Sequence, residues 1–107
     1  MATVITNKDQ TSIVSATTTD GAVTLAEMTK SGETVTTANI VEIFWTVNGT
    51  NTWLVDRGGT AIGQFSGSGH WDLTSSGISL ATGNTADIGL TLSGGTGYII
   101  VKVHKLP

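Results

Sequence analysis

The chain has 107 residues, of which only 12% are charged, with a formal net charge of −3, a single proline and no cysteine. That size suits one domain. The missing thiols exclude a disulfide framework, a Cys-ligated metal centre and a thiol nucleophile, and five basic residues are too few for a protein whose work is neutralising phosphates.

Apolar residues recur at period two along most of the chain, and helical spacing is nearly absent. Residues 1–9 open without a basic start or an apolar run, so no secretory signal is expected there. The run Tyr98-Ile99-Ile100-Val101 is far too short to cross a bilayer, and no membrane partner is expected. Residues 1–10 come before the first good turn and read as an N-terminal arm or an edge strand, ahead of a domain spanning 11–107.

Residues 11–18 and 22–28 read as strands paired across Asp20-Gly21. Leu25, Ala26, Glu27 and Met28 make 22–30 the one stretch where a helical turn competes, because these residue types favour helix. Residues 29–38 form a polar connection. Residues 39–47 are the clearest strand, with Val41, Ile43, Trp45 and Val47 on one face and Ile40, Glu42, Phe44 and Thr46 on the other. Asn48-Gly49-Thr50-Asn51 is a hairpin signal into 52–56, where Trp53 and Val55 share a face.

Short strands follow at 60–65, 70–74 and, more weakly, 78–81. A second hairpin is expected between 86–92 and 98–105 over the glycine-rich turn 93–97. Its return strand turns Ile99, Val101 and Val103 inward and Tyr98, Ile100, Lys102 and His104 outward. Lys102, His104 and Lys105 would discourage unwanted edge pairing. The pattern predicts an all-β chain: a single compact β-sandwich, jelly-roll-like, or a small barrel, of about eight or nine short antiparallel strands. Its expected core contains Val41, Ile43, Trp45, Ile88, Leu90, Ile99, Val101 and Val103.

Residues that carry chemistry are sparse. The two histidines, His70 and His104, read as ordinary surface or loop residues. The eight acids are scattered, without the alternating loop of a calcium site. Glu42 reads as a cross-strand partner for Lys102 or Arg57. The glycine-rich 93–97 lacks the lysine and following helix of a phosphate loop. No catalytic set, cofactor site or metal site emerges, and no enzyme is expected. Arg57, beside Gly58-Gly59, reads as a loop-tip residue able to reach a partner's carboxylate or backbone. Trp45, Trp53 and Trp71 have two readings: core aromatics, or, for Trp53 and Trp71, a platform on which a sugar could stack. Thr-rich strands with few mobile ionic side chains lose little entropy when covered by a neighbour, which suits permanent assembly.

The Thr-rich opening Met1-Ala2-Thr3-Val4-Ile5-Thr6, the run Thr17-Thr18-Thr19-Asp20-Gly21 and the compact Gly/Thr/Ser-rich body resemble small all-β structural proteins of tailed-bacteriophage virions, most of all capsid decoration (cement) proteins. The resemblance is one of composition and length. It implies a non-enzymatic protein, made in the host cytoplasm, that sits on the capsid surface of the virion. There it binds the major capsid protein, as a homotrimer, and stabilises the assembled shell. Thr3, Val4, Ile5 and Thr6 would add a strand to a capsid sheet, with Arg57 near the contact. Two further classes share the composition: a carbohydrate-binding β-sandwich module, and a neck, tail or fibre component.

Overall fold

The computed structural model describes residues 3–72 and 85–107. Its regular structure there is nine strands: β1 Thr3–Lys8, β2 Thr11–Ala16, β3 Asp20–Val23, β4 Thr37–Val47, β5 Thr52–Arg57, β6 Thr60–Ser66, β7 Ser68–Asp72, β8 Ile88–Leu92 and β9 Gly97–Leu106. They form two antiparallel sheets, ordered β1-β2-β9-β4-β7 and β3-β8-β5-β6. The strand expected at 78–81 lies outside the described residues.

From β2 onward the strands pair first with last: β2 with β9, β3 with β8, β4 with β7, and β5 with β6. The chain is therefore one long two-stranded ribbon, doubled back at Gly58-Gly59 and rolled so that successive ribbon segments alternate between the sheets. Lateral pairing of β9 with β4 and of β8 with β5 completes the sheets. This is the jelly-roll order, with β1 added at one edge by its hairpin to β2. The tip of the ribbon requires φ > 0 at both turn residues, and Gly58 (59°) and Gly59 (93°) supply it.

The core is the space between the sheets. Val14, Val101 and Ile43 are successive register partners across β2, β9 and β4. They face Trp53, Val55, Ile88 and Leu90 of the other sheet, and all seven are fully buried. Of the expected core residues, Trp45 is only partly buried at the margin of the cluster, and Val41, though only 8% exposed, stands outside it.

Three local readings are corrected. Both predicted hairpins are crossings between sheets: β4 and β5 lie in different layers, as do β8 and β9. Alternation says which residues face inward but not whether the next strand lies beside or across. Here the inward faces of β4 and β5 oppose each other through the core. The two crossings are stitched together. Asn48 N–H donates to Thr96 O at 3.0 Å, and Ser93 N–H donates to Thr52 O at 2.9 Å. Thr96 N–H donates to Asn48 Oδ1 at 3.0 Å and Thr52 N–H to Ser93 Oγ at 2.8 Å.

Upstream, residues 11–18 and 22–28 do not pair, since β2 and β3 belong to opposite sheets. The strand stops at Val23 because Thr24 and Glu27 form a capping box. Thr24 Oγ1 accepts from Glu27 N–H at 3.1 Å, and Glu27 Oε1 accepts from Thr24 N–H at 3.0 Å. The helical turn that follows sinks Met28 completely into the core.

In β4 the register shifts between Ile40 and Glu42. A bulge there lets Ile40 and Ile43 both point inward, while Val41 lies beside Thr11, Lys102 and His104. The simple alternation through 39–47 breaks at that point.

The β4–β9 seam is predicted to be the slowest-exchanging backbone in the molecule, measurable amide by amide over β4 and β9 by hydrogen exchange. Val101→Asp, which places an unpaired charge between Val14 and Ile43, should abolish cooperative folding, as judged by circular dichroism.

Candidate functional site

The pleat and the register lay out the outer face of the five-stranded sheet in rows. One row runs Val4, Ser15, Ile100, Phe44, His70 across β1, β2, β9, β4 and β7; the next runs Thr6, Ile13, Lys102, Glu42, Asp72. Val4, Ile13 and Phe44 on these rows are exposed, as is Tyr98 on β9. The face is thus apolar and hydroxyl-bearing towards β1 and charged towards β7.

At the charged end, His70 Nε2 lies 2.7 Å from Glu42 Oε2. The imidazole stacks on Phe44 with ring centroids 4.0 Å apart and planes within 2°. Phe44 and His70 are direct register partners, and so are Glu42 and Asp72. Ligand atoms of Glu42, His70 and Asp72 all lie within 4.8 Å of one another, close enough, among the described residues, to approach a cation together. Of the two partners expected for Glu42, Lys102 is its neighbour on β9, while Arg57 is in the other sheet. Sequence reasoning missed the Glu42–His70 contact. Its only signal was that residues 42 and 70 sit on opposite strands of one pleat, which the register alone reveals.

Thr3, Val4, Ile5 and Thr6 are in β1, which is an edge strand rather than a loose arm. Val4 is exposed and Ile5 packs against the core. Arg57 is not at a loop tip reaching outward: it is 2% exposed. Its Nη1 donates to Ala38 O at 2.6 Å, and its Nε and Nη2 donate to Ala86 O at 3.2 and 2.9 Å. Burial pushes the guanidinium below its ordinary pKa, and the Asp87 carboxylate opposes that shift. Arg57 therefore joins strands within the chain, and the contact role expected for it has no exposed surface to act through.

Trp53 offers no ring face for a sugar, being fully buried, with Nε1 donating across the core to Thr46 O at 3.1 Å. Trp71 turns to the same inner side as its partner Ile43 and packs on Phe65 at 5.8 Å. Trp45 packs on Phe65 as well, with ring centroids 4.4 Å apart.

Lys105, expected to guard an edge, is also buried. Its Nζ donates to Met28 O at 2.8 Å and pairs with Glu33 Oε1 at 2.5 Å. Glu33 further accepts from the N–H groups of Gln10 and Lys30. The Lys105 hydrogen bond, then those two backbone donors, hold the Glu33 carboxyl down to a pKa of about 2 from 4.5.

A carboxylate whose folded pKa is depressed stabilises the fold above its unfolded pKa and loses that contribution as pH falls. The stability gap between wild type and Glu33→Gln should therefore be full at neutral pH. It should close between about 4.5 and about 2, as read from thermal midpoints across that range. Arg57→Met strips the N–H donors from Ala38 O and Ala86 O and should cost about 2–4 kcal/mol in denaturant titration.

Among the described residues, no helix is long and apolar enough to cross a membrane. No family model, no curated protein and no solved structure matches the chain.

Proposed function

We propose that this chain is a non-enzymatic virion structural protein that binds and stabilises an assembled phage capsid, docking by strand addition at β1. The observation that carries the reading is the contrast among the sheet edges. Natural edges are blunted by shortness, bulges or charge, because an open row of N–H and C=O groups invites pairing with another chain. β3 is four residues long with a register shift, β6 is bulged against β5, and β7 carries His70 and Asp72. β1 is six residues long and in unbroken register with β2 from Thr3 to Lys8, its one charge being the exposed Lys8 at its end. Its Thr3-Val4-Ile5-Thr6 stretch carries no charge, proline or glycine. An extended segment of the major capsid protein paired there would be held by main-chain hydrogen bonds, with exposed Val4 giving apolar contact.

Two further features support the reading. A jelly roll is an architecture used by viral capsid and lectin domains alike, so the fold admits the role without proving it. Trp53 is fully buried and Trp71 partly buried against the core, which leaves less ring surface for the carbohydrate-binding alternative. A homotrimer on the capsid surface remains part of the proposal.

Val4→Lys and Thr6→Lys place edge-guarding charges on outward positions. Each should leave stability within about 0.5 kcal/mol of wild type while abolishing binding to assembled shells in a co-sedimentation assay. Binding should depend weakly on salt, unlike phosphate binding. Shells carrying the protein should rupture at higher temperature, because a ligand of the assembled state stabilises it by mass action. Undiminished binding by both lysine variants would reject docking at β1. Deleting residues 2–7 is the poorer test, because it also removes Ile5 from the core margin.

A further inference from the structure

We propose that Glu42, His70 and Asp72 form a binding site for a divalent transition cation, Zn²⁺ being the chemical type, that clamps edge strand β7 to β4. One imidazole and two carboxylates are a donor set that suits Zn²⁺ and its neighbours, with ligand bonds of about 2.0–2.2 Å and a remaining position for water. Ligands around such an ion lie about 3.4 Å apart when tetrahedral. The three donor atoms here are within 4.8 Å of one another, so side-chain adjustments of about 1 Å close the site without moving the strands.

Four independent features build it. Glu42 and Asp72 are direct cross-strand partners, which brings two carboxylates to one point of the pleat. The Ile40/Glu42 bulge resets the strand immediately before Glu42, the kind of local device that re-aims a side chain. The His70 ring is held flat on Phe44, 4.0 Å away, which fixes the direction of its nitrogens. The Glu42 side chain is 20% exposed and that of His70 42%, so an ion has access from solvent. In the cation-free molecule His70 Nε2 and Glu42 Oε2 share a hydrogen bond at 2.7 Å; on binding, the ion takes the place of the shared proton, which moves to the imidazole Nδ1 as the ring changes tautomer. Lys102 lies on the far side of Glu42 from Asp72.

The inference is independent of shell binding, and its test needs only the purified chain. Calorimetric titration with Zn²⁺ alone should show one site per chain. At free Zn²⁺ one hundred times Kd, the folded-to-unfolded ratio should rise about 100-fold, seen as a melting-temperature increase of about 10 °C. His70→Gln and Asp72→Asn should each lose the heat and the shift while folding normally by circular dichroism. His104→Gln, which alters the other histidine of the same face, should keep both, as should Val4→Lys. With paramagnetic Co²⁺ as the probe, the amide resonances most perturbed should centre on residues 42, 70 and 72. No heat and no shift in wild type at millimolar Zn²⁺ would overturn the site. So would a response that survives in both His70→Gln and Asp72→Asn.

Discussion

The rest of the molecule depends on the seam between β9 and β4. β9 lies antiparallel along β4 from Thr37 opposite Leu106 to Val47 opposite Gly97, the one place where the outer and inner turns of the rolled ribbon meet within the five-stranded sheet. Because the side-chain period of a strand is two, this register decides which residues of both strands enter the core. It carries Ile99, Val101 and Val103 to the same side as Trp45, Ile43 and Ile40. The same register, continued through β2 to β1 on one side and β7 on the other, aligns the outer rows. The core and the candidate sites are two consequences of one pairing.

One end of that seam would be costly without its two buried cations. Ala38 and Lys105 are register partners there, and the connection between β3 and β4 folds over this end. That connection is too irregular to satisfy its own carbonyls by ladder bonds, and a buried unpaired carbonyl costs as much as a lost hydrogen bond. Arg57 reaches the same end from the opposite sheet, donating to Ala38 O in β4 and to Ala86 O just ahead of β8. Lys105 reaches the connection from β9 by donating to Met28 O, with Glu33 balancing its charge. Both side chains are buried and direct their charge to backbone carbonyls.

Those two residues mark where sequence reading stopped. The alternation was legible, and the strands it located are present with ends shifted by a residue or two, apart from 22–28 and the stretch outside the described residues. Parity alone placed Arg57 with Trp53 and Val55, and Lys105 with Val101 and Val103, on the inward side. A charged residue type at an inward position was instead assigned to solvent, the usual outcome, because its compensating carbonyls lie 19, 29 and 77 residues away. The two crossings were misread as hairpins for a related reason. Asn48-Gly49 has strong hairpin chemistry, but what it joins is decided by the Trp53–Thr46 hydrogen bond and the stitching to Ser93 and Thr96. The Glu42–His70–Asp72 group was invisible for the same physical reason: each residue is ordinary alone, and only non-local register brings them together.

The two ends of the five-stranded sheet are chemically unequal, and that asymmetry bears on how the proposed activities fit together. β7 terminates the sheet with acidic and imidazole groups beside β4, and a cation bound there would stiffen an edge already unsuited to adding another strand. β1 terminates it with hydroxyl-bearing and aliphatic side chains over Thr3–Thr6, in regular register, with Lys8 at the end of the strand. A strand added beyond β1 would continue the row that starts at Val4 and the row that starts at Thr6 onto the partner, so its outward side chains would extend an apolar and hydroxyl surface. The same addition at β7 would place a neighbour's side chains against Asp72 and His70, desolvating charge with no new backbone advantage. Under the proposed docking the sheet would grow at β1 and stay closed at β7. A protein that decorates a finished shell needs that polarity, since two open edges would let copies of it polymerise with each other in solution before reaching the capsid.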